Sequence, residues 1–337
     1  MGRAHRGLAV SMLVAAALAL APAPVAAQRT LKLATLAPEG SAWMKLFHEW
    51  DKAVQKRTHG RLRLKFQPGG VAGDERDMVR LMSLGRLQGA ALTGNGVGLL
   101  QPEFRVLELP FLIRSDGELD HVRGQLAAFF RQKLEERGYV LLAWGDAGWI
   151  HLFANHSVAS RGDLKRAKVW AWTDDPIVRA LVQAMGVTGV PLGVPDVLPG
   201  LTTGQIDCVY GSALTTLSLG WYRKVKYMLE VPISMSTGAI VLAKKDFDSL
   251  EPDEQQALVE AAQAMESKLN RIVRADNQAA LGHLRKAGIQ FVRPAPGTVG
   301  DLEAESQKVW KHLSGTVYSR ETLEDVKRLL AQYRRKR

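Results

Sequence analysis

The segment Leu31-Lys32-Leu33-Ala34-Thr35-Leu36 alternates apolar and polar residues, a helical stripe follows, and a second alternating run, Leu62-Arg63-Leu64-Lys65-Phe66, closes the unit. In the stripe, Trp43, Leu46, Phe47, Trp50 and Val54 recur at helical spacing and Gly60 ends it. A strand, a helix and a strand at these lengths form a β-α-β crossover, which makes the two strands parallel and covers the sheet with helices. The binding loops of such a sheet lie at the carboxyl ends of its strands.

The pattern repeats along the chain. Helices are predicted at Arg76 to Leu84 and Leu119 to Arg137, and strands at Gly89 to Leu92 and Tyr139 to Trp144. A second set begins near Trp149, with strands at Ile150 to Ala154, Lys168 to Trp172 and Ile206 to Tyr210. Its helices are Pro176 to Met185 and Val194 to Thr203. Pro252 opens a strongly periodic helix to about Lys286, long enough to brace two lobes. A strand from Gly288 to Val292 and charged surface helices at Leu302 to Leu313 and Glu321 to Tyr333 complete the chain. The predicted class is α/β, a two-lobed arrangement with a largely parallel sheet, a long bracing helix and C-terminal helices.

The first 27 residues differ from the rest. Arg3 and Arg6 precede an apolar run from Gly7 to Ala21, then Pro22 and Pro24, and Val25-Ala26-Ala27 offers small residues before Gln28. This order predicts a cleavable signal peptide. As a helix the run would span roughly 22 Å, short of the ~30 Å hydrocarbon core that an anchor must cross. The lone cysteine, Cys208, can form no intramolecular disulfide and lies far from the cleavage region, so no lipid anchor is expected there. The expected location is the periplasm. The formal charge of +11 is spread along the chain and interspersed with acids, apart from the basic C-terminus. With no RNP, zinc-finger or helix-turn-helix signature, nucleic acid is not an expected partner.

Catalytic and metal signatures are missing from the sequence. The eight histidines form no HExxH or His-x-His spacing, no CxxC occurs, and no Gly-x-Ser-x-Gly is present. Gly94-Asn95-Gly96-Val97-Gly98 lacks the third glycine of the dinucleotide fingerprint and reads as a crossover between lobes. No enzyme activity, cofactor or metal is therefore expected. The informative residues are aromatic: Trp144, Trp149, Trp170, Trp172 and Tyr210 fall at or just beyond predicted strand ends. Trp170 and Trp172, two apart on a strand, share one face.

An ordered series of short segments adds a resemblance. Gly69-Gly70-Val71-Ala72-Gly73-Asp74-Glu75 is followed by Leu107-Glu108-Leu109-Pro110-Phe111-Leu112, and Asn155 by Asp163-Leu164-Lys165-Arg166-Ala167-Lys168-Val169. Then come Pro191-Leu192, Gly204-Gln205-Ile206-Asp207, Lys226-Tyr227 and the helix after Leu250-Glu251-Pro252. The series resembles the substrate-binding subunits of tripartite ATP-independent periplasmic (TRAP) transporters, the DctP-type family, over nearly the whole chain after residue 27. The resemblance implies a periplasmic-binding-protein fold of type II-like architecture that closes over a small organic ligand and hands it to a TRAP permease. It divides the chain into lobe I (28–148 and 237–278), lobe II (149–236 and 279–313) and a helical tail (314–337).

The resemblance also implies a carboxylate-clamping arginine, whose position here is Trp170. A second arginine of some members falls at Ile150, the usual polar positions fall at Tyr210 and Gly211, and Cys208 stands where glycine is usual. With the polar anchors replaced together, the expected ligand is hydrophobic or weakly polar, held by Trp149, Ile150, Trp170, Trp172, Val194, Tyr210 and Gly211, with Leu36, Gly94 and Asn95 facing them. The competing expectations are an organic acid reached by Arg76, Arg105 or Arg179, a quaternary ammonium solute held by cation–π attraction beside Asp174 or Asp175, and an interaction protein with no small ligand. A periplasmic tetratricopeptide protein is a further implied partner, and the expected state is a monomer.

Overall fold

The computed structural model describes residues 28–336, so the expected leader at 1–27 lies outside the described residues. The first unit follows the sequence pattern: β1 (Arg29–Thr35), α1 (Ala42–Arg57) and β2 (Leu62–Gln67), with β1 and β2 parallel. Ser41 caps α1 by accepting from the Met44 N–H, and Met44, Leu46, Phe47, Trp50 and Val54 form its buried face. The chain continues through α2 (Glu75–Ser83), β3 (Gly89–Thr93), α3 (Gly94–Leu100), a 3-10 turn at Pro102–Glu108, and α4 (Asp116–Glu135).

The next strand, β4 (Tyr139–Ala154), corrects the expectation of two separate strands. It runs through Gly145-Asp146-Ala147-Gly148 by means of β-bulges, where the register shifts between Leu141 and Ala143 and between Asp146 and Gly148. Gly148 takes a φ of 116°, and a Cβ there would lie 2.5 Å from the Asn277 side chain. The bulges let one strand leave the first sheet and enter the second.

The second half comprises α5 (Arg161–Arg166), β5 (Lys168–Trp172), α6 (Pro176–Met185), β6 (Thr188–Leu192), α7 (Val194–Thr203), β7 (Cys208–Gly211), α8 (Ala213–Ser218) and β8 (Tyr227–Leu229). Then come β9 (Ser234–Ala243), α9 (Lys244–Asp248), α10 (Pro252–Lys286), β10 (Gln290–Val292), α11 (Thr298–Leu313) and α12 (Arg320–Arg335). Strand order is β2-β1-β3-β9-β4-β7-β5-β6, with β8 and β10 attached through β4. The outer strands on each side are parallel, but β9 is antiparallel to both β3 and β4, and β4 is antiparallel to β7. The sheet is therefore mixed rather than largely parallel. The two long crossing strands run in opposite directions because each carries the chain from one half to the other.

Two lobes result, each a sheet covered by helices. The 35-residue α10, about 52 Å long at 1.5 Å per residue, lies along both. Its Leu258, Ala262, Met265 and Leu269 pack with Trp50 and Leu62 of the first half, whereas Ala280 and Leu284 pack with Trp170 and Trp221 of the second. Asn277 fastens α10 to the crossing: its Nδ2 donates to the Ala147 carbonyl and its Oδ1 accepts from the Leu214 N–H, each at 3.1 Å. The C-terminal α12 returns to the first half, where Leu323, Val326 and Leu330 join its core and Arg334 pairs with Glu118 on α4. Among the described residues no helix is long and apolar enough to cross a membrane.

Candidate functional site

A cavity of about 270 Å³ opens where the carboxyl ends of β1, β3, β5 and β7 face one another. On the first side its wall contains Thr35 at the end of β1 and Leu36 after it, Pro38, Trp43 of α1, and Thr93 at the end of β3 with Asn95 of α3. On the other side lie Ile150 of β4, Trp170 and Trp172 of β5, Val194 at the start of α7, and Tyr210 and Gly211 of β7. Asp146, Ser236 and Thr237 of the crossing strands form the back. An apolar arm continues under α6, lined by Val169, Ile177, Val178, Leu181, Val182, Met185 and, from α11, Leu302. The placement is the one expected of an α/β sheet, and the lining is mostly hydrocarbon.

Eight of the ten expected ligand positions line this cavity: Leu36, Asn95, Ile150, Trp170, Trp172, Val194, Tyr210 and Gly211. Trp149 does not. Neighbouring residues of a strand point to opposite faces, so Ile150 at the cavity turns Trp149 away, and its Nε1 donates to Asp116 at 2.9 Å. Gly94 does not line it either. The expected crossover at Gly94-Asn95-Gly96-Val97-Gly98 is instead the helix α3, capped by Thr93.

The glycines of α3 have a packing reason. A Cβ on Gly94 would strike Glu108, one on Gly96 would strike Glu75, and one on Gly98 would strike Arg105. All three of those charged residues are buried. Close approach of the helix backbone to them needs glycine.

The aromatic residues form a layer rather than an open cage. Trp170 stacks on Tyr210 with ring centroids 4.6 Å apart, meets Trp221 edge-on at 5.3 Å, and lies 5.6 Å from Trp172. It is 2% exposed, and its Nε1 donates to the Leu192 carbonyl at 2.9 Å. Burial pushes the Tyr210 hydroxyl pKa well above its ordinary value, and that oxygen accepts from the Trp172 N–H at 3.2 Å. Trp144, also expected near a strand end, lies within β4 and stacks on Phe104 in the first core. Cys208 is buried and its thiol is pushed up to about 12 by burial, so it is unreactive.

The electrostatic centre of the site was missing from the expected residue set. Arg105, one of the arginines considered for a ligand acid, does turn inward and is 4% exposed. Its Nη1 donates to Glu108, and its Nη2 donates to both oxygens of Asp175 at 2.9 and 2.8 Å. Glu108 also accepts from the Thr237 N–H at 3.0 Å. Burial pushes the Glu108 carboxyl up to about 6, with Arg105 opposing the shift. Nearby, Glu75 is pushed up to about 8 by burial, against donors from Thr93 and Gly96 that favour its charged form.

Arg105 is the one cationic side chain among the described residues lining the cavity. Two carboxylates already offset it. Arg76 pairs at 2.6 Å with Asp174 in solvent, and Arg179 is exposed. Polar contacts that cross the cleft include Arg105 to Asp175, Arg76 to Asp174, and Trp172 Nε1 to Asp74 at 2.7 Å, with the Val194 N–H also donating to Asp74. The signal that could have located the charge cluster was the Gly-x-Gly-x-Gly spacing of α3, because small residues at these positions mark backbone approached by something large.

Comparisons with known proteins agree with this architecture. A sequence profile of the DctP family, bacterial extracellular solute-binding protein family 7, matches residues 33–316. The 2,3-diketo-L-gulonate-binding periplasmic protein YiaO of Escherichia coli K12 is 26% identical over 246 residues, which are 72% of this chain and 75% of that protein. A TRAP periplasmic solute-binding protein of Xanthobacter autotrophicus, solved with bound β-D-galacturonate, superposes with a TM-score of 0.83 at 21% identity. It covers 89% of this chain and 99% of its own. DctP7 of Bordetella pertussis, a receptor binding pyroglutamic acid, gives the same TM-score at 20% identity and the same coverage.

Proposed function

Because this chain belongs to the DctP family, family 7 of the bacterial extracellular solute-binding proteins and a family of binding proteins rather than enzymes, we propose that it captures a hydrophobic or weakly polar organic solute in the periplasm. The observation that carries the ligand class is the state of Arg105, a lone cationic lining residue held by Glu108 and Asp175 together. With both carboxylates ionised the trio is net negative, and a ligand carboxylate about 4 Å away would meet repulsion of order a few kcal/mol. The arm under α6 adds hydrocarbon wall without a new charge. For a quaternary ammonium solute the aromatic layer is poorly arranged, since Tyr210 covers the face of Trp170.

In this reading residues 28–148 with 237–278 and residues 149–236 with 279–313 close on each other through β4 and β9, and 314–337 forms the tail. The closed monomer delivers its solute to a TRAP-type permease, with a periplasmic tetratricopeptide protein as an additional partner. Export follows removal of residues 1–27. The secreted protein is expected to begin at Gln28 by N-terminal sequencing, and an intact Met1 in the periplasmic fraction would refute the cleavage.

The ligand class is tested by extracting the protein, purified from its own periplasm, with organic solvent and analysing the extract by mass spectrometry. A neutral, lipid-like molecule at stoichiometric amount is the expected result. Tight binding of a uronate or a C4-dicarboxylate to the extracted and refolded protein would overturn the reading. Val178→Phe, which fills the arm under α6, is expected to weaken the co-purified ligand roughly 5- to 150-fold, for an overpacking penalty of about 1–3 kcal/mol. Unchanged affinity in that variant would remove the arm from the site.

A further inference from the structure

Val169 and Trp170 of β5 both line the cavity, although neighbours on a strand point to opposite faces of the sheet. Val169 belongs to the core under α6, with Leu164, Met185 and Leu302, and Trp170 to the core on the other face, with Phe153, Val209 and Trp221. Tyr210 joins the two faces. On β7 it lies opposite Leu152 of β4 and two residues from Cys208, both in the core under α6, so strand alternation starts its side chain on that face. Its ring nevertheless stacks on Trp170, with centroids 4.6 Å apart and planes 13° from parallel, and it packs against both cores. A ring that starts on one face and stacks on the other passes between the strands.

The sheet has a seam at this place. β5 pairs with β6 along its whole length, from Lys168 to Trp172, but with β7 at Val169 and Cys208 alone among the described residues. Beyond that point a side chain stands in for the ladder: the Tyr210 hydroxyl accepts from the Trp172 N–H at 3.2 Å. Behind the ring, Trp170 and Trp221 are each 2% exposed, so that face is filled. The hydrocarbon-lined space lies on the other side, in the arm between α6 and the sheet that α6 covers.

We propose that Tyr210 determines the breadth of the hydrocarbon this receptor takes: its ring plugs the seam between β5 and β7, closes the side of the arm, and restricts the arm to one unbranched chain. Without the ring the arm would open sideways into the seam as far as Trp170, and a second branch would find cover there. The bond from the Trp172 N–H to the hydroxyl keeps the ring in the seam. The inference rests on the apolar reading of the cavity and adds the shape of the hydrocarbon to it.

The test uses the full-length mature protein, stripped of bound molecules by unfolding and refolding, with two alcohols of equal carbon count, dodecan-1-ol and its branched isomer 2-butyloctan-1-ol. The head group and the amount of hydrocarbon are the same, and the shape differs. The unmodified protein is expected to bind dodecan-1-ol about tenfold more tightly than the isomer, the effect of leaving roughly two methylenes of the branch uncovered. Tyr210→Ala should bring the two affinities to within about threefold, chiefly by strengthening the branched isomer. Tyr210→Phe, which keeps the ring without its hydrogen bond, should retain most of the preference. Equal binding of the two isomers by the unmodified protein, or a full preference that survives in folded Tyr210→Ala, overturns the plug and leaves the apolar cavity intact. Binding of neither alcohol, with tight binding of galacturonate, overturns both readings. Because the isomers are compared first on the unmodified protein, the proposal can fail whether or not Tyr210→Ala folds.

Discussion

Replacing Arg105 by leucine is expected to destabilise the protein by about 3–5 kcal/mol at pH 8, and by markedly less at pH 5, as read from urea midpoints at the two values. The substitution leaves Glu108 and Asp175 facing each other in a closed interior, with no cation between them. The pH dependence follows from the sign of the Glu108 shift. Its folded pKa is already raised above the ordinary 4.5, to about 6, by burial that Arg105 opposes. A carboxyl raised in this way contributes most below its unfolded pKa, and the contribution is lost as pH rises through the folded value. Without Arg105 the folded value rises further, so the window of loss begins near the unfolded pKa and extends through neutrality. Taking up one proton lets the remaining pair share it, and the penalty shrinks. An equal loss at pH 5 and pH 8 would show that leucine acts through packing alone. The same variant removes a contact across the cleft, so looser closure should accompany it in small-angle scattering.

Trp170→Ala is expected to lower stability by about 3–5 kcal/mol, on the order of 10 °C in Tm, whatever ligand is present. The indole is 2% exposed, stacked on Tyr210, edge-on to Trp221, and hydrogen-bonded to the Leu192 carbonyl. Its removal opens a void in the second lobe's core and leaves that carbonyl with only the longer bond from the Thr173 N–H, at 3.3 Å. Trp170→Phe keeps a ring against Tyr210 and should lose about 1–2 kcal/mol. If instead Trp170→Ala were nearly as stable as the parent while ligand affinity collapsed, the ring would be a ligand platform and not a structural layer. The position to which the family resemblance assigns an acid-clamping arginine is therefore a core position in this chain. A side chain there acts on the ligand chiefly by setting where Tyr210 and Trp172 stand.

Much of the architecture is legible in local pattern. Helices α6, α7 and α10 begin and end at the predicted residues because their signals are local: proline in the first turn of each, and Gly186 and Gly204 in the left-handed conformation after α6 and α7. Strand β9 was not predicted. Its Ser234-Met235-Ser236-Thr237-Gly238 half has little apolar alternation, and it becomes a strand because β3 and β4 flank it. The same holds for the middle of β4, where two strands are predicted and two bulges supply a continuation.

The candidate site divides along a similar line. Leu36, Trp172 and Tyr210 could be expected at the cavity because an α/β sheet presents its strand ends there, and strand alternation decides between Trp149 and Ile150. The charge cluster could not be found in this way, since Glu75 comes from α2, Arg105 and Glu108 from the Pro102–Glu108 turn, and Asp175 from the start of α6. The glycine spacing of α3 marks that something large approaches its backbone, but which charges pair there depends on distance and burial in the folded chain.

What the sequence determined by itself was the repeated β-α-β pattern, and with it the sheet, the helices on its faces and a crevice at the strand ends, because periodicity and capping act over a few residues. Only the tertiary structure decided the mixed strand directions, the single strand through Gly148, the burial of Trp170, and the pairing of Arg105 with Glu108 and Asp175. The physical reason is that desolvation and charge pairing are set by what the rest of the chain places within a few ångströms of a group.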